Sequence, residues 1–280
     1  MSTLDKRLNA YRSDLAEISL RGRIEAERFV EGRPMQVGRA VASLRRQPDD
    51  AAMQLTEALP GERLTVFDNA NGWCWVKLTR DGYVGYIRSE LLEAPGAAAT
   101  HEVLTPSTFI YPKADLKSQD ASTLPMLARV AVTGTEKDYS ALAGGGFIFT
   151  KHLAPVGSGR GDFVSVAERF LHAPYYWGGK TVRGLDCSGL VQVSLHAVGL
   201  DAPRDSDMQE QTLGTALKKG EALRRGDLVF WDGHVGIMTD STMLLHANGS
   251  DMLVVIEPLA EAVARIEAKG KPVTSIKRLG

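Results

Sequence analysis

One cysteine and two histidines in the C-terminal half of the chain have the types and the order that nucleophilic catalysis requires. Cys187 lies in residues 184–191, where a turn gives way to an amphipathic segment. His234 follows a tight Asp-Gly turn, and His246 ends a short apolar run. A nucleophilic cysteine needs a base near its sulfur and a third group that orients the base. The spacing therefore predicts a triad of Cys187, His234 and His246.

The surrounding pattern predicts the elements that position these residues. Apolar residues recur at helical spacing after Cys187, and a glycine and a proline end the pattern near position 200. Cys187 would thus lie in the first turn of a helix, where backbone N–H groups and the helix dipole favour the reactive thiolate. His234 and His246 fall on neighbouring β-prone runs, and a hairpin can bring them side by side beneath the helix.

Composition limits the possible partners. The chain has 280 residues, 44% of them hydrophobic and 24% charged, with a formal net charge of −1. No long basic run occurs, so nucleic acid and anionic membranes are excluded as main partners, and a peptide-like substrate is expected. The sequence shows neither a secretory signal nor a membrane span, which predicts a cytoplasmic protein. Cys74 and Cys187 are too few for a disulfide framework, although one bond stays possible.

Turn-rich and glycine-rich segments divide the chain into four parts. Residues 1–30 form an N-terminal arm that lies over a later domain or, equally, a partly disordered tail. Residues 31–94 and 95–156 each read as short strands separated by turns, and each predicts a small antiparallel barrel. A glycine-rich hinge at 156–161 leads into residues 157–280, where helices precede an antiparallel sheet, an α+β domain.

Two sets of motifs resemble known families. The pieces ALPGE (58–62), GWCWV (72–76) and DGYVGYI (81–87) resemble the bacterial SH3-like domain. The C-terminal region resembles the NlpC-type cysteine peptidases through PYYWGG (174–179), LDCSGLV (185–191), PRDS (203–206) with Gln209, GDLVFW (226–231), HVGI (234–237) and HAN (246–248). This resemblance implies a multidomain protein in which two SH3-like barrels precede a papain-like peptidase domain.

The resemblance also implies roles for single residues. Cys187 would be the nucleophile, His234 the general base, and His246 the residue that holds the His234 ring. Tyr175 would help the Cys187 backbone N–H to stabilise the oxyanion.

Further residues match the family's substrate site. The peptidase candidates are Asp186, which would face an amine of the peptide, Ser188, and Asp205 and Ser206, which would contact the D-glutamyl part. In members with two SH3-like domains the first barrel closes one end of the groove, and an acidic residue there receives the N-terminal amine of L-alanine. Here that residue could be Glu57 or Glu62, with Tyr83 or Tyr86 nearby.

The implied activity is hydrolysis of the amide bond between γ-D-glutamate and a diamino acid, meso-diaminopimelate or lysine, in peptidoglycan peptides with a free N-terminal L-Ala. The hypothesis favoured is a cytoplasmic cell-wall recycling enzyme. The alternatives are an endopeptidase of intact wall whose SH3-like modules bind the wall, and a binding protein with an inactive core, although an inactive core would have no need of all four catalytic-type residues.

Other motifs point away from further chemistry. Residues 178–181 end like a phosphate loop, but position 174 is proline where that loop needs glycine. No metal-ligand motif is present, so neither a metal nor a cofactor is predicted. Ser206 could instead cap a helix over 207–217. Gly233 stands where related SH3-containing members tend to carry another histidine. Cys74, between two tryptophans, is expected to be a buried structural residue.

Overall fold

A computed structural model describes residues 4–159, 161–218 and 220–280 of the chain. It divides into two compact units, Met1–Val156 and Gly157–Gly280. The division falls within the predicted hinge at 156–161, of which Arg160 lies outside the described residues. In the described parts of the chain, no helix is long and apolar enough to cross a membrane.

The first unit is built almost entirely from short strands. They are β1 (Leu15–Glu17), β2 (Arg28–Val30), β3 (Arg33–Val37), β4 (Ala42–Arg45), β5 (Gln54–Ala58), β6 (Arg63–Ala70), β7 (Trp73–Leu78), β8 (Val84–Arg88), β9 (Leu92–Glu93), β10 (His101–Val103), β11 (Ser107–Ile110), β12 (Ser122–Pro125), β13 (Arg129–Val130), β14 (Val132–Glu136), β15 (Tyr139–Leu142), β16 (Phe147–Phe149) and β17 (Leu153–Pro155). Turns of 3₁₀ helix cover Ile18–Leu20, Ser89–Leu91 and Thr150–His152.

Residues 4–30 pack against the strands that follow them. Leu15 is buried with Trp75 in one apolar cluster, and both carboxylate oxygens of Glu17 accept from Lys77 Nζ at 3.0 Å. The Arg12 guanidinium lies 4.5 Å from the Trp75 ring. Residues of this segment therefore contact the strand that carries Trp75 and Lys77, and the assignment of residues 1–30 as an arm stays a prediction. Residues 1–3 are outside the described part.

Seven antiparallel strands form the first β-domain, in the order β5-β4-β8-β7-β6-β3-β9. Buried and half-buried residues alternate along β4 and β5, as expected for strands with one face on a core. Asn71 and Gly72 join β6 to β7 with φ of 52° and 78°, the conformation of a tight hairpin turn. The core residues are Val37, Ala42, Leu44, Ala58, Leu64, Val66, Cys74, Val76, Leu78, Tyr83, Ile87 and Leu92. Cys74 is thus a buried core residue with a free thiol.

Residues 95–156 form three small sheets, β13-β10-β17, β11-β12 and β14-β15-β16. They share a core of Val103, Ile110, Leu124, Ala128, Ile148 and Leu153. The strands β13 and β14 are separated by a single residue at position 131. The backbone N–H of Arg129 donates to the Pro60 carbonyl at 2.8 Å, which ties this region to the first β-domain.

The second unit places helices against one antiparallel sheet. Its elements are α1 (Phe163–Glu168), β18 (Lys180–Thr181), β19 (Gly184–Leu185), α2 (Cys187–Ala197), α3 (Ser206–Thr212), β20 (Thr215–Ala216), β21 (Leu228–Trp231), β22 (His234–Met238), β23 (Met243–Asn248), β24 (Leu253–Pro258), α4 (Leu259–Glu267) and β25 (Val273–Arg278). The sheet runs β20-β25-β21-β22-β23-β24. Every residue of α2 is buried, and α2 packs against α1, β22 and β23.

Three details of this unit differ from the sequence predictions. The helix α4, between the last two strands, was not predicted. The predicted helix 207–217 ends at Thr212, and residues 215–216 pair with the last strand instead. Ser206 is the first residue of α3, and Asp205 occupies the N-cap position, so Ser206 is not the cap.

Candidate active site

Cys187 is the first residue of α2, and Asp186 caps that helix. The Asp186 carboxylate accepts from the Gly189 backbone N–H at 2.7 Å, which satisfies one of the donors left free in a first helical turn. Gly189 also allows a loop to approach: a Cβ there would lie 2.3 Å from the Gly179 carbonyl oxygen. The sequence therefore fixes both the start of the helix and the path of the loop beside it.

The two histidines lie on one face of the sheet, on adjacent strands. Ile237 of β22 pairs with Leu245 of β23, which makes His234 and His246 diagonal neighbours. His234 Nε2 and His246 Nδ1 are 2.8 Å apart. Trp231 packs beside His234, with ring centroids 5.5 Å apart. The predicted proximity of the histidines is present, and His246 is almost fully buried.

The Cys187 thiol contacts the backbone of β22, the strand that begins with His234. The Val235 N–H, one residue beyond His234, and the Ser188 N–H hydrogen-bond to it and act to lower its pKa. Burial is the larger influence, followed by the Asp186 charge, and together they raise the pKa of Cys187 to about 12. Desolvation therefore acts against the thiolate that the helix N-terminus is expected to favour.

Burial likewise disfavours charge on the histidines. It lowers the pKa of His234 to about 3, with further contributions from His246 and Arg265. The pKa of His246 is also lowered, chiefly by burial. The resting site therefore holds a thiol and two neutral imidazoles at neutral pH. A neutral imidazole can act as a general base, so the arrangement can take the thiol proton during attack.

Tyr175 lies in the loop that precedes these elements. Its backbone N–H donates to the Met252 carbonyl at 2.8 Å, and its backbone forms a bridge to Leu185 near Cys187. Burial raises the pKa of the half-buried Tyr175 hydroxyl, and negative charge on Cys187, once it ionises, and on Asp186 raises it further. The hydroxyl is therefore a protonated donor in the neighbourhood of the thiol.

Asp186 and Ser188 are engaged inside the protein. Arg204, only 1% exposed, donates to Asp186 Oδ1 at 3.0 Å and Oδ2 at 2.7 Å, and to Ser188 Oγ at 2.9 Å. Asp186 Oδ2 also accepts from the Gly178 N–H at 2.8 Å. Both Asp186 oxygens are thus already used, which argues against the predicted contact with a substrate amine. The structure favours a different task for Asp186, which is to fix the segment that carries Cys187.

Comparisons with known proteins agree with this architecture. A model of the NlpC/P60 family matches residues 172–268, and a model of the bacterial dipeptidyl-peptidase SH3 domain matches residues 44–92. The chain contains an NlpC/P60 domain. The family predicted from the motifs, and its enzyme class of peptidase, are confirmed, together with one SH3 domain.

Two named relatives resemble most of the chain. The gamma-D-glutamyl-L-lysine dipeptidyl-peptidase of Bacillus subtilis strain 168 is 27% identical over 230 residues, which cover 74% of this chain and 77% of the relative. A protein of the same name from Bacillus cereus ATCC 10987 is 28% identical over 236 residues, covering 73% and 70%. The crystal structure of an NlpC/P60 family protein from Bacillus cereus ATCC 10987 shares the fold with a TM-score of 0.74 at 20% identity, covering 88% of this chain and 99% of that one.

The remaining candidates in the NlpC/P60 domain lie at the start of α3. Asp205 is at the N-cap position and Ser206 follows it, both half-buried. Gln209, on the next turn, donates from Nε2 to the Ser188 carbonyl at 3.0 Å and to the Pro203 carbonyl at 2.9 Å. The beginning of α3 is thereby tied to the first turn of α2, next to Cys187. The contact of Asp205 and Ser206 with a D-glutamyl group stays a prediction.

The candidates in the first unit have mixed surroundings. Glu57 is half-buried on β5. Glu62 is buried, and its Oε2 accepts from the Leu59 N–H at 2.9 Å, which gives it a structural task. Tyr83 belongs to the core of the first β-domain, and the Tyr86 hydroxyl accepts from Arg12 at 3.2 Å. Their predicted role as receptors of a substrate amine stays a prediction.

Sequence reasoning missed three charged residues of the NlpC/P60 domain. Arg204 was noticed only as part of the PRDS motif. An arginine that lies between apolar segments could have suggested a buried ion pair. Glu257 Oε1 lies 2.7 Å from His246 Nε2, and Arg265 donates to both oxygens of Glu257. Glu257 was overlooked because it lies outside all of the motifs that the sequence analysis identified. In the part of the chain that the structure describes, no group of acidic, histidine or cysteine side chains could hold a metal ion.

Proposed function

We propose that this protein is a cysteine peptidase that hydrolyses the amide bond between γ-D-glutamate and a diamino acid in peptidoglycan-derived peptides. The observation that carries the proposal is the hydrogen-bonded pair of His234 and His246 beside a cysteine at a helix N-terminus. The names of the two relatives that resemble most of the chain support the same bond.

In this proposal each group has a defined task. The sulfur of Cys187 attacks the carbonyl carbon of the γ-glutamyl amide while His234 takes the thiol proton. His234 then returns the proton to the leaving amine, and water later hydrolyses the acyl-enzyme. The Tyr175 hydroxyl and the Cys187 backbone N–H donate to the oxyanion, and one such donor is typically worth about 3 kcal/mol. His246 holds the His234 ring.

The proposed substrate is L-Ala-γ-D-Glu joined to meso-diaminopimelate or lysine, with a free L-Ala amine. Asp205 and Ser206 would contact the D-glutamyl part, and Glu57 or Glu62 of the first unit would receive the L-Ala amine. The proposal includes a role in cell-wall recycling within the cytoplasm. Fractionation of cells that express the protein from its own promoter would test the compartment, and recovery with the wall fraction would contradict it.

The finer architecture that accompanies this function is also a proposal. Residues 1–30 would be an arm, residues 31–94 and 95–156 two SH3-like barrels, and residues 157–280 a papain-like domain. The separate apolar core within 95–156 supports the second barrel. The helix that begins at the cysteine, packed on an antiparallel sheet with the histidines, supports the papain-like assignment.

Mass spectrometry of the reaction products tests the function directly. The full chain would be incubated with L-Ala-γ-D-Glu-meso-diaminopimelate, with its L-lysine counterpart, and with the N-acetylated form of each. We expect release of L-Ala-γ-D-Glu from the free peptides only, and none with Cys187→Ala. Equal cleavage of the acetylated peptides would contradict the requirement for a free amine and favour an endopeptidase of intact wall. Cleavage of none would contradict the proposed substrate.

A further inference from the structure

The histidine pair is backed by a carboxylate that no motif indicated. Glu257 lies on β24 and contacts His246 Nε2 at 2.7 Å through Oε1. Arg265 of α4 donates to both oxygens of the same carboxylate, so the group is held from two sides. Hydrogen bonds from Arg265 and then from His246 lower the pKa of Glu257. Glu257 is therefore ionised near neutral pH.

An ionised carboxylate accepts hydrogen bonds and donates none. His246 Nε2 must then carry a proton, because it is the atom that faces Glu257. Burial keeps His246 neutral, and a neutral imidazole has one ring proton, so His246 Nδ1 is an acceptor. That acceptor lies 2.8 Å from His234 Nε2, which must in turn be the donor. His234 is also neutral, so its remaining nitrogen, Nδ1, carries no proton.

We propose that Glu257 is a positioning residue that sets the tautomers of both histidines and thereby leaves His234 Nδ1 free to accept the Cys187 proton. The inference rests on the proposed function for its chemical consequence. In that step the S–H bond breaks and an N–H bond forms at His234 Nδ1. The sulfur electron pair forms the bond to the carbonyl carbon. Arg265 acts one step further back, because it orients the carboxylate.

Asn248 favours the opposite tautomer of His246, so the effect of Glu257 on the tautomer can be detected. Its Nδ2 lies 3.0 Å from the same His246 Nε2. The orientation of the amide is fixed, since Oδ1 accepts from the N–H groups of Ser250 and Asp251 at 2.8 Å. Asn248 thus presents a donor to Nε2. With Glu257 absent, this donor would favour a bare Nε2, the proton would move to His246 Nδ1, and His234 Nδ1 would become protonated.

The other charged groups around the histidines do not select the opposite tautomers. Arg265 and Lys271 disfavour a positive charge on His234. Arg265 does the same to His246, while Asp251 favours positive charge there. These charges change how readily the pair binds an additional proton. The choice between ring nitrogens is made by the direct contacts of Glu257 and Asn248.

Nitrogen NMR of the full chain, labelled with ¹⁵N-histidine, reads the tautomers directly. In the wild type we expect protonated Nε2 and bare Nδ1 on both histidines. Glu257→Gln should preserve this pattern, because its amide oxygen can still accept from Nε2–H. Glu257→Ala should reverse it and lower kcat at least about tenfold with little change in KM, because general-base catalysis typically contributes more than that, and the glutamine variant should recover most of that loss.

Glu168→Gln is a matched control. Arg225 donates to the two Glu168 oxygens at 2.7 and 3.0 Å in an equivalent pair that contacts no histidine within the described chain. This variant should leave both the tautomers and kcat unchanged.

A proton on His234 Nδ1 in the wild type would overturn the inference, and so would an unchanged pattern in Glu257→Ala. The spectra need no substrate and the wild-type result needs no variant to fold. Failure of the wild type to cleave the peptides would instead contradict the proposed function.

Discussion

Replacing Arg204 by methionine should destabilise the peptidase unit strongly. Arg204 and Asp186 form an ion pair whose side chains are 1% and 9% exposed, with a shortest N–O distance of 2.7 Å. Methionine keeps the length and the apolar stem but removes the charge. The Asp186 carboxylate would remain buried at the start of α2 without its counterion.

The expected cost is about 3–5 kcal/mol, which is typical when one partner of a buried pair is removed. Most of that cost is the uncompensated charge, so Asp186→Asn in the same chain should recover a large part of it. The amide oxygen can still cap α2 through the Gly189 N–H. We expect a favourable coupling of about 2 kcal/mol between the two substitutions. Arg225→Met, at a pair with both partners more than one-third exposed, should cost about 1 kcal/mol or less.

Urea denaturation read by hydrogen–deuterium exchange of residues 187–197 would measure this effect in the second unit alone. The exchange of strands β6 to β8 in the same samples gives an internal reference for the first unit. A cost below about 1 kcal/mol for Arg204→Met, close to that of an exposed pair, would refute the reasoning. If the double variant Arg204→Met, Asp186→Asn is no more stable than Arg204→Met alone, the unpaired Asp186 charge is not the source of the cost.

Three further predictions concern single groups. Tyr175→Phe should lower kcat about 10²-fold with little change in KM if its hydroxyl serves the oxyanion, and steady-state kinetics showing a loss below twofold would contradict this. His234 has a pKa near 6.5 in the unfolded chain and about 3 in the folded protein. As the pH falls from about 6.5 to about 3, the free energy of unfolding should therefore decrease by up to about 1.4 kcal/mol per pH unit. His234→Gln should flatten that pH dependence in urea titrations, and an unchanged slope would contradict it. Gly233→Ala should cost about 1 kcal/mol, because φ is 76° while the nearest atom to an added Cβ is 3.9 Å away, and thermal unfolding should show a smaller cost for Gly233→Asn.

Local patterns predicted the elements that carry the histidines and the cysteine. Helical spacing after Cys187 corresponds to α2, and the Asp-Gly turn before His234 corresponds to the hairpin of β21 and β22, in which Trp231 pairs with His234. Gly233 has a φ of 76°, a conformation that glycine adopts in this turn without strain. These features depend on contacts between residues close in sequence, which periodicity and turn chemistry report.

Charged partners distant in sequence could not be derived in the same way. Arg204 and Asp186 are brought together by the packing of the α2–α3 connection, and the pattern of either segment contains no sign of the other. The contact of His246 with Glu257 depends on the register of β23 and β24, in which His246 pairs with Val255. A motif identifies a residue without showing which groups its side chain already binds. For this reason the sequence suggested Asp186 as a substrate ligand and gave no sign of its contact with Arg204.

The pKa of Cys187 shows how packing changes a conclusion that local structure supports. A helix N-terminus favours a thiolate, and the Ser188 and Val235 N–H groups act in that direction. The same residue is buried beside the Asp186 charge, and these two influences raise its pKa to about 12. A thiolate without a nearby positive charge is therefore disfavoured at neutral pH, and an imidazolium alone is disfavoured by the same burial. The two charges can form together, because each then supplies the counterion that the other lacks.

We thus expect slow alkylation of Cys187 by iodoacetamide at pH 7, with a rate that rises towards pH 10. A plateau of the rate below pH 7 would show that a preformed ion pair dominates the resting enzyme and would contradict the general-base role of neutral His234.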